Sequence, residues 1–326
     1  MLAMTQTGHV AAAIRAANKN VTTELVEIVT TGDETVGPLL DVGGKGLFTE
    51  QLEEALRDGS IDMAVHSAKD VPTYLDDDLE ISIVPARSDP RDALVTSAGL
   101  DLRELSGNAT VGTGSLRRRA QIKAWRSDVD VVPIRGNIET RLKRSLPGSD
   151  RKLDAVVLAM AGLIRSGLAE THAMNIRPLV DIMPAAGQGA LAIETVVGNK
   201  DIASILAPIN DQDSFEALHA ERSVLANLEA DCHSCIAVHF SRLEGKWMGA
   251  AMASAFSATR AVMTSVNMKS PMGAWGPCSS CEPSEIRITG FSFNRSRNST
   301  QVKSFNRCFL MVSSWFCLRN YPKDHV

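Results

Sequence analysis

Cysteine is absent from the first 231 residues; all six lie from Cys232 onward. A small secreted domain stapled by disulfides spreads its cysteines through the chain, so that class is excluded. No run of about 18 apolar residues occurs, which argues against a membrane-spanning helix. The N-terminus lacks the charged-then-apolar layout of a secretory signal. A cytoplasmic protein is expected, or one of the plastid stroma if a transit peptide preceded this sequence. Aromatics are also scarce, 15 in 326 residues, and the net charge is −4. With few stacking platforms and an acidic balance, nucleic acid is not an expected partner. What is plentiful is apolar material, 44% of the residues, enough for the cores of two or three domains.

Against that acidic background, positive charge is concentrated. Between Ser115 and Arg144 stand seven arginines and two lysines against three acids. They form two sets, Ser115-Leu116-Arg117-Arg118-Arg119 and Arg135-Gly136-Asn137 followed by Arg141. Residues 110–113 and 129–134 read as short buried strands, and Ser115 and Asn137 are placed to cap the helices that follow. Free N–H groups at a helix start and planar guanidinium forks suit carboxylate or phosphate groups. Arg117, Arg118, Arg135 and Arg141, at element starts, are the expected anion ligands. Arg119, Arg126, Lys143 and Arg144 read as a solvated face.

The remaining pattern is alternating. Residues 24–31 and 61–66 read as strands, and 81–85 as another. Phe48, Leu52, Ala55 and Leu56 follow the spacing of an amphipathic helix ended at Gly59. Strands are expected at 153–161 and 190–194, a long helix at 212–230, and a hairpin over 237–253 turning at Glu244-Gly245-Lys246. This order predicts an α/β protein with largely parallel sheets and helices on both faces. Residues 86–92 look like a crossing to a second sheet and 184–189 like the return. Domain 1 is then discontinuous, 1–86 with 186–207, domain 2 spans 87–185, and domain 3 spans 208–326. A ligand cleft is expected between the first two. Composition shifts near residue 250: the first 250 residues hold 25 basic and 35 acidic side chains, the last 76 hold 9 and 3. Beyond about residue 255 no period of 3.6 or 2 is sustained.

Two further stretches carry chemistry. His66-Ser67-Ala68-Lys69-Asp70-Val71-Pro72 leaves a buried strand and turns polar at once. Asp70 there reads either as a carboxylate that steadies a cationic intermediate and moves protons, or as a turn cap. Cys232, after the long helix, reads as a nucleophile or an attachment point. Cys232 and Cys235 with Cys278 and Cys281 make two C-x-x-C pairs, but their separation far exceeds the usual zinc-knuckle spacing of about 15–20 residues. No metal is expected.

The motifs V-G-G-K-G-L-F at 42–48, A-V-H-S-A-K-D-V-P at 64–72, D-P-R-D-A at 89–93, G-T-G-S-L-R-R at 112–118, R-G-N at 135–137, A-G-L at 161–163 and G-Q-G-A at 187–190, together with Cys232, occur in this order. On them the chain resembles the porphobilinogen deaminase (hydroxymethylbilane synthase) family over roughly residues 2–250. The resemblance implies two domains like those of type II periplasmic binding proteins and a smaller α+β third domain, in a monomer. It implies a transferase that condenses four porphobilinogen molecules into linear hydroxymethylbilane with loss of ammonia. Priming would come from a dipyrromethane cofactor in thioether linkage to Cys232, with Asp70 as the catalytic carboxylate. Lys69, Ser115, Arg117, Arg118, Arg135, Arg141, Arg165 and Gln188 would bind cofactor and substrate, and Lys45 and Phe48 would belong to a mobile loop. The competing reading is a non-catalytic binder of anions or tetrapyrrole precursors. The first matching residues are Leu2-Ala3-Met4-Thr5-Gln6, the family's L-A-x-x-Q; beyond about residue 255 the third domain's pattern is not followed.

Overall fold

The computed structural model describes residues 2–28, 49–148, 153–230, 234–253 and the backbone of 262–266. In chain order the elements are α1 (Leu2–Ala17), α2 (Glu50–Arg57), β1 (Ala64–Ser67), β2 (Leu79–Ile83), β3 (Asp92–Thr96), β4 (Thr110–Gly112), α3 (Leu116–Trp125), β5 (Asp130–Val132), α4 (Ile138–Lys143), β6 (Ala155–Ala159), α5 (Met160–Arg165), α6 (Leu168–Thr171), β7 (Ile176–Leu179), β8 (Leu191–Val196), α7 (Lys200–Leu206), α8 (Gln212–Asn227), β9 (Ile236–Leu243), β10 (Lys246–Ala253) and β11 (Val262–Val266).

The five-stranded sheet β5-β4-β6-β3-β7 is buried on both faces. Its central strands show why. In β6, Ala155 and Val157 enter one apolar cluster with Ile122 of α3, while Val156 and Leu158 enter the other with Leu142 of α4 and Leu163 of α5. Successive side chains of a strand point to opposite faces, so an uninterrupted apolar run requires a helical layer on each. A second sheet, β1-β8-β2, is covered in the same way. Ile193 of β8 packs with Val10 and Ile14 of α1 and Leu206 of α7, and Ala192 packs with Leu218 of α8.

The chain leaves the first sheet after β2 and re-enters it as β8, so β8 runs antiparallel to both β1 and β2. In the larger sheet β3 is antiparallel to β6 and β7, and only β4 pairs in parallel, with β5 and β6. The larger sheet is therefore mixed and the smaller one antiparallel in its pairings, and neither is largely parallel. The physical reason is the double crossing, which brings β3 and β8 in against the direction of their neighbours.

The outgoing and returning segments touch. Ser88 N–H donates to the Gly189 carbonyl (3.1 Å) and Arg87 Nε to that of Gln188 (2.8 Å). Glu221 of α8 gathers the same region: it accepts from Arg87 Nη1 (2.7 Å) and Nη2 (3.0 Å), from Gly187 N–H (2.6 Å) and from Phe240 N–H on β9 (2.8 Å).

The hairpin of β9 and β10 turns at Glu244 and Gly245, with φ of 50° and 75°, the left-handed pair that matches strand twist in a two-residue loop. β11 pairs antiparallel with β10, a strand in the stretch where sequence showed no sustained period. The strand expected at 24–31 differs: residues 24–28 pair with no strand among the described residues, Leu25 and Val26 are exposed, and 29–31 lie outside the described residues. A strand exists only as part of a ladder, and β propensity alone does not supply one. Among the described residues no helix is long and apolar enough to cross a membrane.

Candidate active site

A cleft of about 350 Å³ opens where α1, the end of β1, the starts of α3, α4 and α5, and the 187–190 return segment meet. That size falls within the roughly 300–1,000 Å³ of small-molecule sites. Its cationic lining is Lys69, Arg118, Arg141 and Arg165, accompanied by Gln6, Ser67, Asn137, Glu139 and Gln188.

Local structure places each cation. β1 ends at Ser67, and a single tight turn, Ala68–Asp70, puts Lys69 into the cleft. That turn is pressed against the return segment: Gly187 has φ +70°, and a Cβ there would sit 2.9 Å from the Ala68 carbonyl carbon and the Lys69 nitrogen. Only glycine fits such an approach at positive φ. Ser115 caps α3, its hydroxyl accepting from Arg118 N–H (3.4 Å), and Asn137 caps α4, accepting from Thr140 N–H (2.8 Å). Both capping expectations therefore hold, and the caps set the helix starts from which Arg118 and Arg141 reach the cleft.

The cations divide into two groups. Arg117 and Arg118 are buried against Asp92, itself fully buried at the start of β3. Arg117 Nη2 reaches Asp92 Oδ2 at 2.8 Å, and Arg118 Nε and Nη2 reach Oδ1 at 3.0 and 2.7 Å. Gln188 Nε2 adds a bond to Oδ1 at 2.8 Å and another to the Pro90 carbonyl at 2.7 Å. Burial resists ionisation of Asp92, but the two guanidinium charges outweigh it and hold the carboxyl well below the usual range. Arg117 also donates to the Met183 carbonyl and does not line the cleft. Arg118 does, with its Nη1 also on the Val157 carbonyl (3.1 Å).

Lys69, Arg141 and Arg165 have no carboxylate bonded to them among the described residues. Desolvation pulls the Lys69 ammonium below its ordinary value, Asp70 and Asp92 opposing and Arg118 and Arg117 adding to the effect. Arg141 is lowered by desolvation and by repulsion from Arg118 and Arg135, with Asp70 opposing. Its Nε donates to the Gly136 carbonyl (2.6 Å), and Arg165 Nη2 donates to that of Gly189 (2.6 Å). Half-buried cations of this kind, two of them repelled by Arg118, are stabilised by an anion in the space between them.

Asp70 is exposed and is not among the lining residues, though its charge acts on both Lys69 and Arg141. Its side chain makes no hydrogen bond among the described residues, so it is not a cap. Glu139 is the acid that does line this space, and Asp92 stands behind it. Ser115 and Arg135 also lie off the lining, Ser115 occupied as a cap and Arg135 exposed near Arg141. Lys45, Phe48 and Cys232 lie outside the described residues, as do Cys278 and Cys281. Arg126, expected on a solvated face, instead donates to the carbonyls of Leu102 (2.8 Å) and Leu105 (2.9 Å) and pairs with Asp128.

Sequence reasoning passed over Asp92, Gln6 and Ser67. Asp92 falls in the segment read as a crossing; its signal is an acid opening the wholly buried run D-A-L-V-T. Gln6 Nε2 and the Ser67 hydroxyl bond each other across the cleft wall at 3.1 Å.

The residues present fit a polycarboxylate guest: three cations without acids of their own, and a fourth whose acid sits behind it. Comparison with known proteins agrees. The family model described as "Porphobilinogen deaminase, dipyromethane cofactor binding domain" matches residues 1–204. Porphobilinogen deaminase of Syntrophobacter fumaroxidans is 43% identical over 246 residues, 75% of this chain and 78% of that protein. Those of Natranaerobius thermophilus and Sorangium cellulosum are 44% identical over 235 residues and 42% over 254, covering 71% and 77% of this chain and 74% and 83% of theirs. Among solved structures, an amino acid ABC transporter substrate-binding protein from Streptococcus pneumoniae aligns at 14% identity and a TM-score of 0.34, over 67% of this chain and 81% of that one, too distant to carry weight. Family model and relatives together show that this chain belongs to the porphobilinogen deaminase family.

Proposed function

We propose that the chain condenses four porphobilinogen molecules into linear hydroxymethylbilane with release of ammonia, in tetrapyrrole biosynthesis, as a cytoplasmic monomer. The observation that carries this is the set Lys69, Arg141 and Arg165, cations lining one cleft with no acid bonded to any of them among the described residues. Each pyrrole unit of the substrate brings carboxylates that such cations neutralise, and guanidinium forks bind them in two-point geometry.

A dipyrromethane cofactor supplies, when bound, the acceptor end of the growing chain. Lys69, Arg118, Arg141 and Arg165 would hold its carboxylates, and Cys232 would attach it. Asp70, beside Lys69 and acting on Arg141, is the carboxylate we assign to steady the cation left as ammonia departs and to take the proton released on condensation. Gln188, with its amide committed to Asp92 and Pro90, keeps the arginine pair aligned rather than meeting substrate. The domain limits 1–86 with 186–207, 87–185 and 208–326 belong to this proposal; the pairing of β8 with β1 and β2 supports the discontinuous first domain. A non-catalytic anion binder is the less favoured reading, given what the relatives are named for.

Intact mass of the purified chain beside its Cys232→Ser variant, with turnover of porphobilinogen by both, tests the assignment. Two linked pyrroles on the parent, absent from the variant, together with product formation are expected. An unmodified, inactive parent would overturn it.

A further inference from the structure

The turn that follows Asp70 is bound by one helix. Arg222, on α8, donates from Nη2 to the carbonyls of Pro72 (2.8 Å) and Thr73 (3.1 Å), and from Nη1 to that of Val71 (3.4 Å). In the other direction the Thr73 hydroxyl donates to the Ala230 carbonyl (2.9 Å) and the Tyr74 hydroxyl to that of Ala226 (3.0 Å). Four successive residues are thus tied to the second half of α8 and the residues just beyond it.

The last carbonyls of a helix have no partner within it, and side-chain donors from elsewhere satisfy them. Here the Ala226 carbonyl accepts both the Glu229 N–H and the Tyr74 hydroxyl, and Thr73 reaches Ala230 just past the helix end. A guanidinium is a demanding group to place there. Burial pulls Arg222 down to about 10, against the influence of the Glu194 carboxylate. For packing alone an apolar side chain would serve. What the fork provides is geometry, because three consecutive carbonyls converge on it only if the turn keeps one shape.

Among the described residues Asp70 has no side-chain hydrogen bond to orient it, so its position depends on its backbone. On the upstream side Ala68 N–H is fixed to the Ala190 carbonyl at 3.1 Å. On the downstream side Val71 packs against Leu218 of α8, but the only hydrogen bonds of Val71 and Pro72 to α8 among the described residues run through Arg222. We propose that Arg222 and Thr73 are positioning residues for the condensation: they clamp residues 71–73 to α8 and so hold Asp70 at the reacting centre. This rests on the function proposed above.

Thr73→Val removes one donor without changing volume, and Thr73→Ser restores it. The measurements are kcat and KM for porphobilinogen, the covalent adduct by intact mass, and amide hydrogen exchange over residues 68–74. We expect Thr73→Val to keep the adduct and a KM within about twofold while kcat falls about tenfold, the mark of an interaction that serves the transition state. Exchange over 68–74 should quicken severalfold even in protein without the adduct. Thr73→Ser should recover kcat, and Arg222→Gln should lose more than Thr73→Val while Arg222→Lys recovers part. A parent with neither adduct nor turnover would overturn the functional reading and this one with it. An active parent whose kcat is unchanged in Thr73→Val and Arg222→Gln would overturn the clamp alone. So would a loss that disappears once kcat is expressed per adduct-bearing molecule, since that is the signature of a merely structural role.

Discussion

Asp92 and Arg118 meet in a fully buried pair, with Nε and Nη2 of the guanidinium on the same carboxylate oxygen at 3.0 and 2.7 Å. Arg117 takes the other oxygen at 2.8 Å, so a single acid serves two buried cations. Removing that acid's charge would leave both guanidiniums buried without a counter-ion. Asp92→Asn should therefore destabilise by about 3–5 kcal/mol, the usual cost of breaking a buried pair from one side. Urea unfolding at neutral pH measures it, and a loss below about 1 kcal/mol would contradict the role given to Asp92.

Much of this arrangement was legible in sequence, for identifiable reasons. The caps at Ser115 and Asn137, the hairpin at Glu244-Gly245 and the strands that became β4 and β6 are set by neighbouring residues, which is what periodicity and turn chemistry report. That Arg117 turns to Asp92 is decided by contacts 25 or more residues apart, while Arg141, which lines the cleft, is held by a local bond to Gly136. No local pattern separates two arginines at helix starts. The same limit applies to residues 24–28, whose composition suits a strand but whose pairing partner is not a local property.

Among the lining cations, Arg141 is held only through its Nε to Gly136, and its terminal nitrogens make no hydrogen bond among the described residues. Arg141→Gln should leave unfolding stability nearly unchanged, or raise it, because repulsion with Arg118 and Arg135 is relieved. Binding of a carboxylate ligand should weaken by about 2–5 kcal/mol, the cost of leaving a desolvated anion unpaired. Isothermal titration or KM for porphobilinogen would show it. Weakened folding with unchanged binding would reverse the assignment.

Asp70 makes the opposite kind of prediction. It lies off the cleft lining and carries charge but no structural bond, so Asp70→Asn should fold as the parent does. Turnover should fall by about 10²-fold or more with KM little altered, as for a group that acts on charge developing in the transition state. Steady-state kinetics beside thermal unfolding separates the two effects.

Gly187 is a packing constraint with a functional consequence. A methyl group there meets the Ala68 carbonyl carbon and Lys69 nitrogen at 2.9 Å, in backbone at φ +70°. Both sides are backbone and neither yields cheaply. Gly187→Ala should cost about 1–3 kcal/mol in strain, and because the displaced group is the turn bearing Lys69, ligand binding should fall as well. Gly198, also at positive φ but with open space around it, is the control: Gly198→Ala should show the conformational cost without the binding defect.

The acid limb of stability follows from two buried carboxylates. Burial opposes ionisation of Glu221, yet Arg87 and His239 outweigh it and hold the carboxyl below its ordinary value, and Asp92 is lowered in the same sense by Arg117 and Arg118. A carboxyl lowered in the folded state favours folding fully above its unfolded pKa, about 3.9 for Asp and 4.3 for Glu. As pH drops below that range, the unfolded chain takes up protons that the folded one refuses, so stability falls with pH. Urea midpoints should accordingly be level from about pH 5 to 7 as far as these two groups decide it, and decline steadily below about pH 4. Glu221→Gln keeps the shape of the side chain but removes one proton-uptake site, so its midpoint should start lower at pH 7, where Arg87 is left without its charge partner, and decline less steeply between pH 5 and 3. Parallel parent and variant curves across that interval would mean that Glu221 is not held ionised by Arg87 in the folded protein.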